Sequence, residues 1–159
     1  MSAATVLAAS DVSFPLIPAL VLLPAVGALV VAMIPRARAS IHQQVAVLFA
    51  AAAGAISVWA MVAFDKADDG YQFTSEQKWV EDVGIQWLAG IDGISLFLVV
   101  LTGLLFPLAM IAVNPGHDSK GYYAWLLLLQ AGCFGVFVAL DLFMFFVFFE
   151  IVLVPMYFL

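Results

Sequence analysis

Charged side chains are scarce in this sequence of 159 residues, and their scarcity excludes a soluble protein. Asp, Glu, Lys and Arg make up only 10% of the residues, whereas 66% are apolar and the mean hydropathy is +1.15. A soluble domain of this length has too little interior to bury so much apolar surface. The composition therefore predicts a polytopic membrane protein.

Basic residues and cysteine are also rare, with five Lys and Arg, two His and one Cys. Binding to nucleic acids or to an anionic membrane surface requires clusters of Lys and Arg, so the sequence predicts neither role. Cys133, which lies in an apolar run, is the one cysteine of the sequence. Because it has no second cysteine to pair with, an internal disulfide and a cysteine-based metal site are excluded. The first basic residue is Arg36, so we predict no secretory signal and expect the first apolar run to be retained as a helix.

Five apolar runs are long enough to be membrane-spanning helices. They cover residues 14–34, 41–64, 93–113, 122–139 and 142–159. We therefore predict an all-α polytopic membrane protein with about five transmembrane helices in a single membrane domain. Pro18, Pro24 and Pro107 each remove a backbone donor, which predicts bends in the first and third helices. Ala50 and Gly54 lie four residues apart and predict a face that another helix approaches closely.

One long polar connection, residues 65–92, joins the second and third helices and holds most of the acids. The acids lack the spacing of an EF-hand, which favours a solvated acidic surface over a cation site. Alternating apolar residues over 83–87 predict a strand or hairpin on the membrane face, with Trp79 and Trp87 near the headgroups. Asp141 is predicted to cap the final helix.

The Lys and Arg residues of the short loops predict the orientation in the membrane. Arg36 and Arg38 follow the first helix and Lys120 follows the third, which places these loops in the cytoplasm. The N-terminus and the acidic segment then lie on the extracytoplasmic side. His42 stands beside two glutamines at the start of the second helix, and we expect it to be solvated at the membrane edge.

Glu150 is the one carboxylate within the final run, LFMFFVFFEIVLVPMYFL. An ionisable group at the centre of a membrane costs on the order of 3 kcal/mol, so it normally faces a protein interior, water or a partner charge. Pro155 frees the carbonyl of Ile151 beside it, which can hold a water. The residues predicted to share its helix face, at steps of three, four and seven, are apolar: Phe143, Phe146, Val147, Leu153, Val154 and Tyr157.

No cation of this sequence is placed to pair with Glu150, because all five Lys and Arg lie in predicted loops. Two interpretations stay open. The acid is protonated beside neutral groups such as Gln130, Thr102 and Ser57, or its partner belongs to another subunit or to a segment that this sequence lacks. Since the final apolar run reaches the last residue without a polar cap, we expect the sequence to be the front portion of a longer protein.

Two segments resemble a known family. IDGISLFLVVLTGLL, residues 91–105, and GVFVALDLFMFFVFFEIVLVPMYFL, residues 135–159, are similar to subunit M of bacterial proton-pumping NADH:quinone oxidoreductase, the respiratory complex I. Its mitochondrial counterpart is NADH dehydrogenase subunit 4. The first two predicted helices match this family only in layout. The sister subunits L and N and the Mrp sodium/proton antiporter subunits share the architecture but differ in sequence around the acid.

The resemblance implies the front part of a fourteen-helix, antiporter-like subunit in which Glu150 pairs with a lysine on a later helix and takes part in proton translocation. The chain would be part of an enzyme as a non-redox subunit, with no cofactor or metal of its own. NADH, FMN, iron–sulfur clusters and quinone would belong to the rest of the complex. Its partners would be the other membrane subunits, including the sister antiporter-like subunits, and the lipid bilayer of a bacterial plasma (inner) membrane.

Two alternatives use the same acid differently. A cation/proton antiporter subunit of the Mrp type would exchange sodium or potassium for protons without NADH oxidation. A purely structural segment would keep Glu150 protonated and hydrogen-bonded, and changing this residue would then alter neither activity nor its pH dependence.

Overall fold

Each apolar run of the sequence forms a helix in the computed structural model, because a backbone surrounded by lipid must satisfy its hydrogen bonds internally. The structure describes residues 15–35, 39–65, 70–80, 85–113, 115 and 119–159, with the backbone alone for 39–40, 76–80 and 85–87. The helices are α1 (Leu16–Met33), α2 (Ala39–Ala63), α3 (Gly93–Ala112), α4 (Ser119–Val138) and α5 (Leu142–Phe158).

The helix boundaries agree with the predicted ones except at α4, which begins at Ser119 rather than Tyr122. Among the described residues, α1 to α4 are each long and apolar enough to cross a membrane. The shorter α5 has 17 residues, about 25 Å at 1.5 Å per residue, at the lower end of the spanning range. A fifth membrane crossing by α5 therefore stays a prediction.

The three prolines occupy different positions in their helices. Pro18 lies in the first turn of α1, where an amide has no acceptor within the helix, so it interrupts no helical hydrogen bond. The carbonyl four residues before Pro18, that of Phe14, lies outside the described residues. Pro24 and Pro107 lie inside α1 and α3, and both helices continue through them.

The predicted hairpin is present between α2 and α3. Strand β1 (Gln72–Val80) pairs antiparallel with β2 (Ile85–Ile91) in a two-stranded sheet. Residues 81–84, and the side chains of Trp79 and Trp87 that we expected near the headgroups, lie outside the described part of the chain. So do residues 66–69, which include part of the acidic surface.

Backbone contacts attach the hairpin to one end of the helix bundle. Ala89 forms an isolated bridge with Ala139, and the Leu140 N–H donates to the Leu88 carbonyl at 3.0 Å. We call this end, where α1, α3 and α5 begin, the hairpin end. The opposite end, where α4 begins with Ser119 and Lys120, is called the lysine end.

Aspartates cap the two helices that begin after short connections at the hairpin end. Asp92 accepts from the Ser95 N–H at 2.7 Å, and its own N–H donates to the Ser95 hydroxyl at 2.9 Å, which completes a capping box at α3. The Ser95 backbone hydrogen bond is the main reason that the pKa of Asp92 lies below its ordinary value. Asp141 accepts from the N–H groups of Phe143 and Met144 at 2.8 and 3.3 Å, so its predicted cap on α5 is confirmed.

Close helix packing depends on residues without bulky side chains. α2 packs against α3, and the Gly103 carbonyl oxygen of α3 occupies the place that a Cβ at Gly54 would need. Ala50 is fully buried on the same side of α2. The predicted close approach at Ala50 and Gly54 is therefore confirmed, and α4 carries a second such contact with α5.

Candidate functional site

Helix α5, which carries Glu150, packs against α4 along one side. Its buried residues are Met144, Phe148 and Pro155. Two glycines of α4 make this contact possible, because a Cβ at Gly132 would lie 2.7 Å from a Val152 methyl group and a Cβ at Gly135 would overlap the Phe148 ring. The pairing of residues 132 and 135 with 152 and 148 shows that the two helices run antiparallel.

Glu150 lies on the other side of α5 and is exposed. Glu150 lies two positions after the buried Phe148, a rotation of about 200° around a helix of 3.6 residues per turn. Most of the residues predicted to share its face are exposed as well: Phe143, Phe146, Leu153, Val154 and Tyr157. The acid thus stands in an apolar, uncovered surface of this part of the protein.

Within the described residues, Glu150 has no hydrogen-bond or ion-pair partner. The three neutral side chains named as possible partners each donate to a backbone carbonyl instead. The Gln130 side-chain amide donates to Ala50 at 3.4 Å, and the Thr102 hydroxyl donates to Leu98 at 2.8 Å. The Ser57 hydroxyl donates to Gly54 at 2.7 Å. Among the described residues, these three donors are therefore not shared with Glu150.

His42 was expected to be solvated, and this prediction is wrong. Its side chain is 0% exposed, with Nδ1 3.0 Å from the hydroxyl oxygen of Ser119 at the start of α4. The neighbouring Gln43 donates to the Met110 carbonyl at 3.0 Å, near the end of α3. The first turn of α2 is therefore held against α3 and α4 at the lysine end.

Small residues were the signal that could have predicted the burial of His42. Ala46 and Ala50 follow it at intervals of four residues, and both are 0% exposed. A histidine in line with such residues lies on the packed side of its helix. Its Nε2 and the Oε1 of Gln130 have no hydrogen-bond partner within the structure as described, so both are costly polar groups in the bundle interior.

The described residues offer no ligand set for a metal or cluster. No three His, Cys, Asp or Glu side chains come together in this part of the chain. The one cysteine, Cys133, is partly buried within α4 and is a free thiol.

The chain is similar to known proteins in sequence and in structure. No family model matches the chain. It is 35% identical over 156 residues to NAD(P)H-quinone oxidoreductase chain 4 1 of Synechococcus sp. (strain JA-3-3Ab), covering 94% of this chain and 28% of the relative. It is 29% identical over 150 residues to NADH-quinone oxidoreductase subunit M of Rickettsia bellii, covering 90% of this chain and 30% of that protein.

A solved structure supports the same relationship. One chain of respiratory complex I from Thermus thermophilus with bound NADH superposes with a TM-score of 0.71 at 25% sequence identity, covering 88% of this chain and 27% of that chain. The present chain thus spans between a quarter and a third of the length of the relatives it matches. By sequence and by structure, it belongs to the membrane-embedded subunit M (chain 4) family of NADH-quinone oxidoreductases.

Proposed function

We propose that the chain is part of a proton-translocating membrane subunit of an NADH:quinone oxidoreductase, and that Glu150 is its intramembrane acid. The observation that carries the proposal is the placement of Glu150 on an exposed apolar face without a partner among the described residues. A carboxylate at this depth costs on the order of 3 kcal/mol unless another group stabilises it. The family relationship makes a further segment of the same subunit the natural source of that group.

The mechanism is electrostatic and uses no redox group in this chain. A lysine on a later helix of the longer subunit packs over the exposed face of α5 and stabilises the ionised Glu150. Withdrawal of the lysine favours proton uptake by the acid, and its return favours release. NADH oxidation and quinone reduction, with FMN and iron–sulfur clusters, take place elsewhere in the complex and drive the movement of the lysine.

Partners and location follow from the same proposal. The chain assembles with the other membrane subunits of the complex, including the sister antiporter-like subunits. It lies in a bacterial plasma membrane with its N-terminus and hairpin end outside, since Lys120 lies at the opposite end and favours the cytoplasm.

Replacement of Glu150 by Gln in the assembled oxidoreductase tests the role of the acid. We expect most of the coupled proton pumping to be lost while the complex still assembles, because the carboxamide cannot carry a proton or pair with lysine. The measurement is protons pumped per NADH oxidised in membrane vesicles. The matched control is Asp65→Asn, the same chemical change at an exposed residue beyond the end of α2, which should leave pumping unchanged.

Near-normal pumping by the Glu150→Gln complex would contradict the proposal and favour a structural role. Sodium-dependent proton exchange without NADH oxidation would instead indicate a cation/proton antiporter subunit of the Mrp type. If a double change of Glu150 and the partner lysine lowers pumping no further than either single change, the two residues act as a pair.

A further inference from the structure

A surface groove of about 480 Å³ runs between α1 and α4, away from Glu150. Ala28 and Ala32 line it from α1, and Ala124 and Trp125 line it from α4. Among the described residues of its lining, Lys120 contributes the one charged side chain. The volume is typical of a pocket for one small molecule.

The groove begins at the lysine end of the bundle and runs towards the membrane interior. Its lining covers residues 25–32 of α1 and 120–128 of α4, with Ala32 near the end of α1 and Lys120 in the first turn of α4. Eight residue steps of helix correspond to about 12 Å. One leaflet is half of a hydrocarbon core about 30 Å thick, so the groove extends through most of one leaflet.

One wall of the groove is held in place by an aromatic contact. The Trp125 ring stacks on Phe158 of α5, with 4.8 Å between ring centroids and 10° between ring planes. Small side chains of both helices form the base of the groove, and Ala28 is only 8% exposed. The described lining is therefore apolar apart from Lys120, and the stacked Trp125 ring bounds it on one side.

The charge at the end of the groove is uncompensated within the described residues. Lys120 is partly buried, and no carboxylate there pairs with it. A helix covering the groove would bury this ammonium group and would have to supply a carboxylate. The phosphate of a lipid at headgroup depth supplies the opposite charge without any further protein group.

We propose that this groove binds an anionic phospholipid, with one acyl chain along the small residues of α1 and α4 and the headgroup phosphate at Lys120. Such a site differs from the polybasic surface that the sequence excludes, because it combines one cation with a shaped apolar channel. The bound lipid would complete the surface of α1 and α4 at the lysine end.

Quenching of Trp125 by brominated lipids tests the proposal. A single-tryptophan variant of the whole chain (Trp59→Phe, Trp79→Phe, Trp87→Phe) is reconstituted in phosphatidylcholine vesicles. Increasing fractions of phosphatidylglycerol or phosphatidylcholine with brominated acyl chains are then added. We expect the relative association constant to favour phosphatidylglycerol about fivefold, the factor that corresponds to about 1 kcal/mol per lysine beside an anionic headgroup.

Two sets of variants, each with a control, test the headgroup contact and the acyl-chain groove separately. Lys120→Gln should bring the ratio of the two lipids close to one, whereas Lys78→Gln, the same change on β1, should preserve it. Ala28→Leu or Ala124→Leu should fill the groove and reduce quenching by both lipids, whereas Ala51→Leu on the exposed side of α2 should not. Far-ultraviolet circular dichroism checks that each variant is helical.

Two results would overturn the proposal. Equal quenching by both lipids, unaffected by Lys120→Gln, would show that Trp125 meets only bulk lipid. Absence of quenching by either lipid would show that protein, such as a second copy of the chain, covers the groove.

Discussion

His42 and Glu150 are two titratable side chains with opposite surroundings. His42 is enclosed at the lysine end with one ring nitrogen hydrogen-bonded to Ser119, whereas Glu150 is exposed on an apolar face. A buried polar atom that loses its partner costs about 1–3 kcal/mol, because the group has already given up water. The hydrogen bond between His42 and Ser119 therefore contributes to the stability of the bundle.

Replacement of Ser119 by Ala should lower the free energy of unfolding by about 1–2 kcal/mol, because it leaves both ring nitrogens of His42 without a partner. The measurement is unfolding in mixed detergent micelles followed by tryptophan fluorescence. Ser75→Ala, on strand β1, makes the same change away from the bundle interior and should cost less than about 0.5 kcal/mol. Equal effects of the two variants would contradict a stabilising role for the His42 contact.

At the scale of the element, the contact of α2 with α3 depends on two glycines that face each other. The Gly103 carbonyl oxygen occupies the place of a Cβ at Gly54, and the Ser57 hydroxyl occupies the place of a Cβ at Gly103. Helices in lipid gain little from the hydrophobic effect and associate through such close packing and interhelical hydrogen bonds. Any added atom in this interface must therefore move one helix away from the other.

Changing Gly54 to Ala should destabilise the bundle by about 1–3 kcal/mol, because the added methyl group overpacks a backbone contact that has no flexible side chain to move. The same unfolding measurement checks the value. Gly93→Ala is the matched control, since a Cβ there meets nothing within 4 Å. A Gly54→Ala chain as stable as the Gly93→Ala chain would show that α2 and α3 are not in tight contact.

At the scale of the whole molecule, the two ends of the bundle differ: one carries the hairpin and the other carries Lys120 and His42. The hairpin is attached to the end of α4 by the bridge from Ala89 to Ala139. Lys120 and the buried His42 lie at the other end. This division provides two sides that a labelling experiment can distinguish.

We predict that the hairpin end faces outwards from the cell, because Lys and Arg of short loops are retained in the cytoplasm. In a chain in which Cys133 is replaced by Ala, a cysteine introduced at Tyr71→Cys should react with a membrane-impermeant maleimide in intact cells. A cysteine introduced at Pro35→Cys should react only after the membrane is opened. Both positions are exposed in the structure. The reverse pattern would invert the orientation proposed for the subunit.

Much of the fold could be predicted from the sequence because its causes are local. The lengths of the apolar runs, the Asp141 cap on α5 and the alternation that forms β2 are each set within a few consecutive residues. The presence of one carboxylate in an apolar run likewise identified Glu150 as the candidate site, and the resemblance carried by residues 135–159 indicated the family.

Only the tertiary structure decided which side chains are enclosed. His42 is enclosed where α2 meets α4 and hydrogen-bonds Ser119, 77 residues away in sequence, and the adjacent Gln43 and Gln44 gave no sign of this. The groove beside Lys120 likewise forms between two helices separated by most of the chain. The sequence by itself determined that a costly acid lies within the last helix, because composition and length are local properties. The packing of α5 against the glycines of α4 decided that this acid points away from the bundle, because the face that a helix buries depends on the helices beside it.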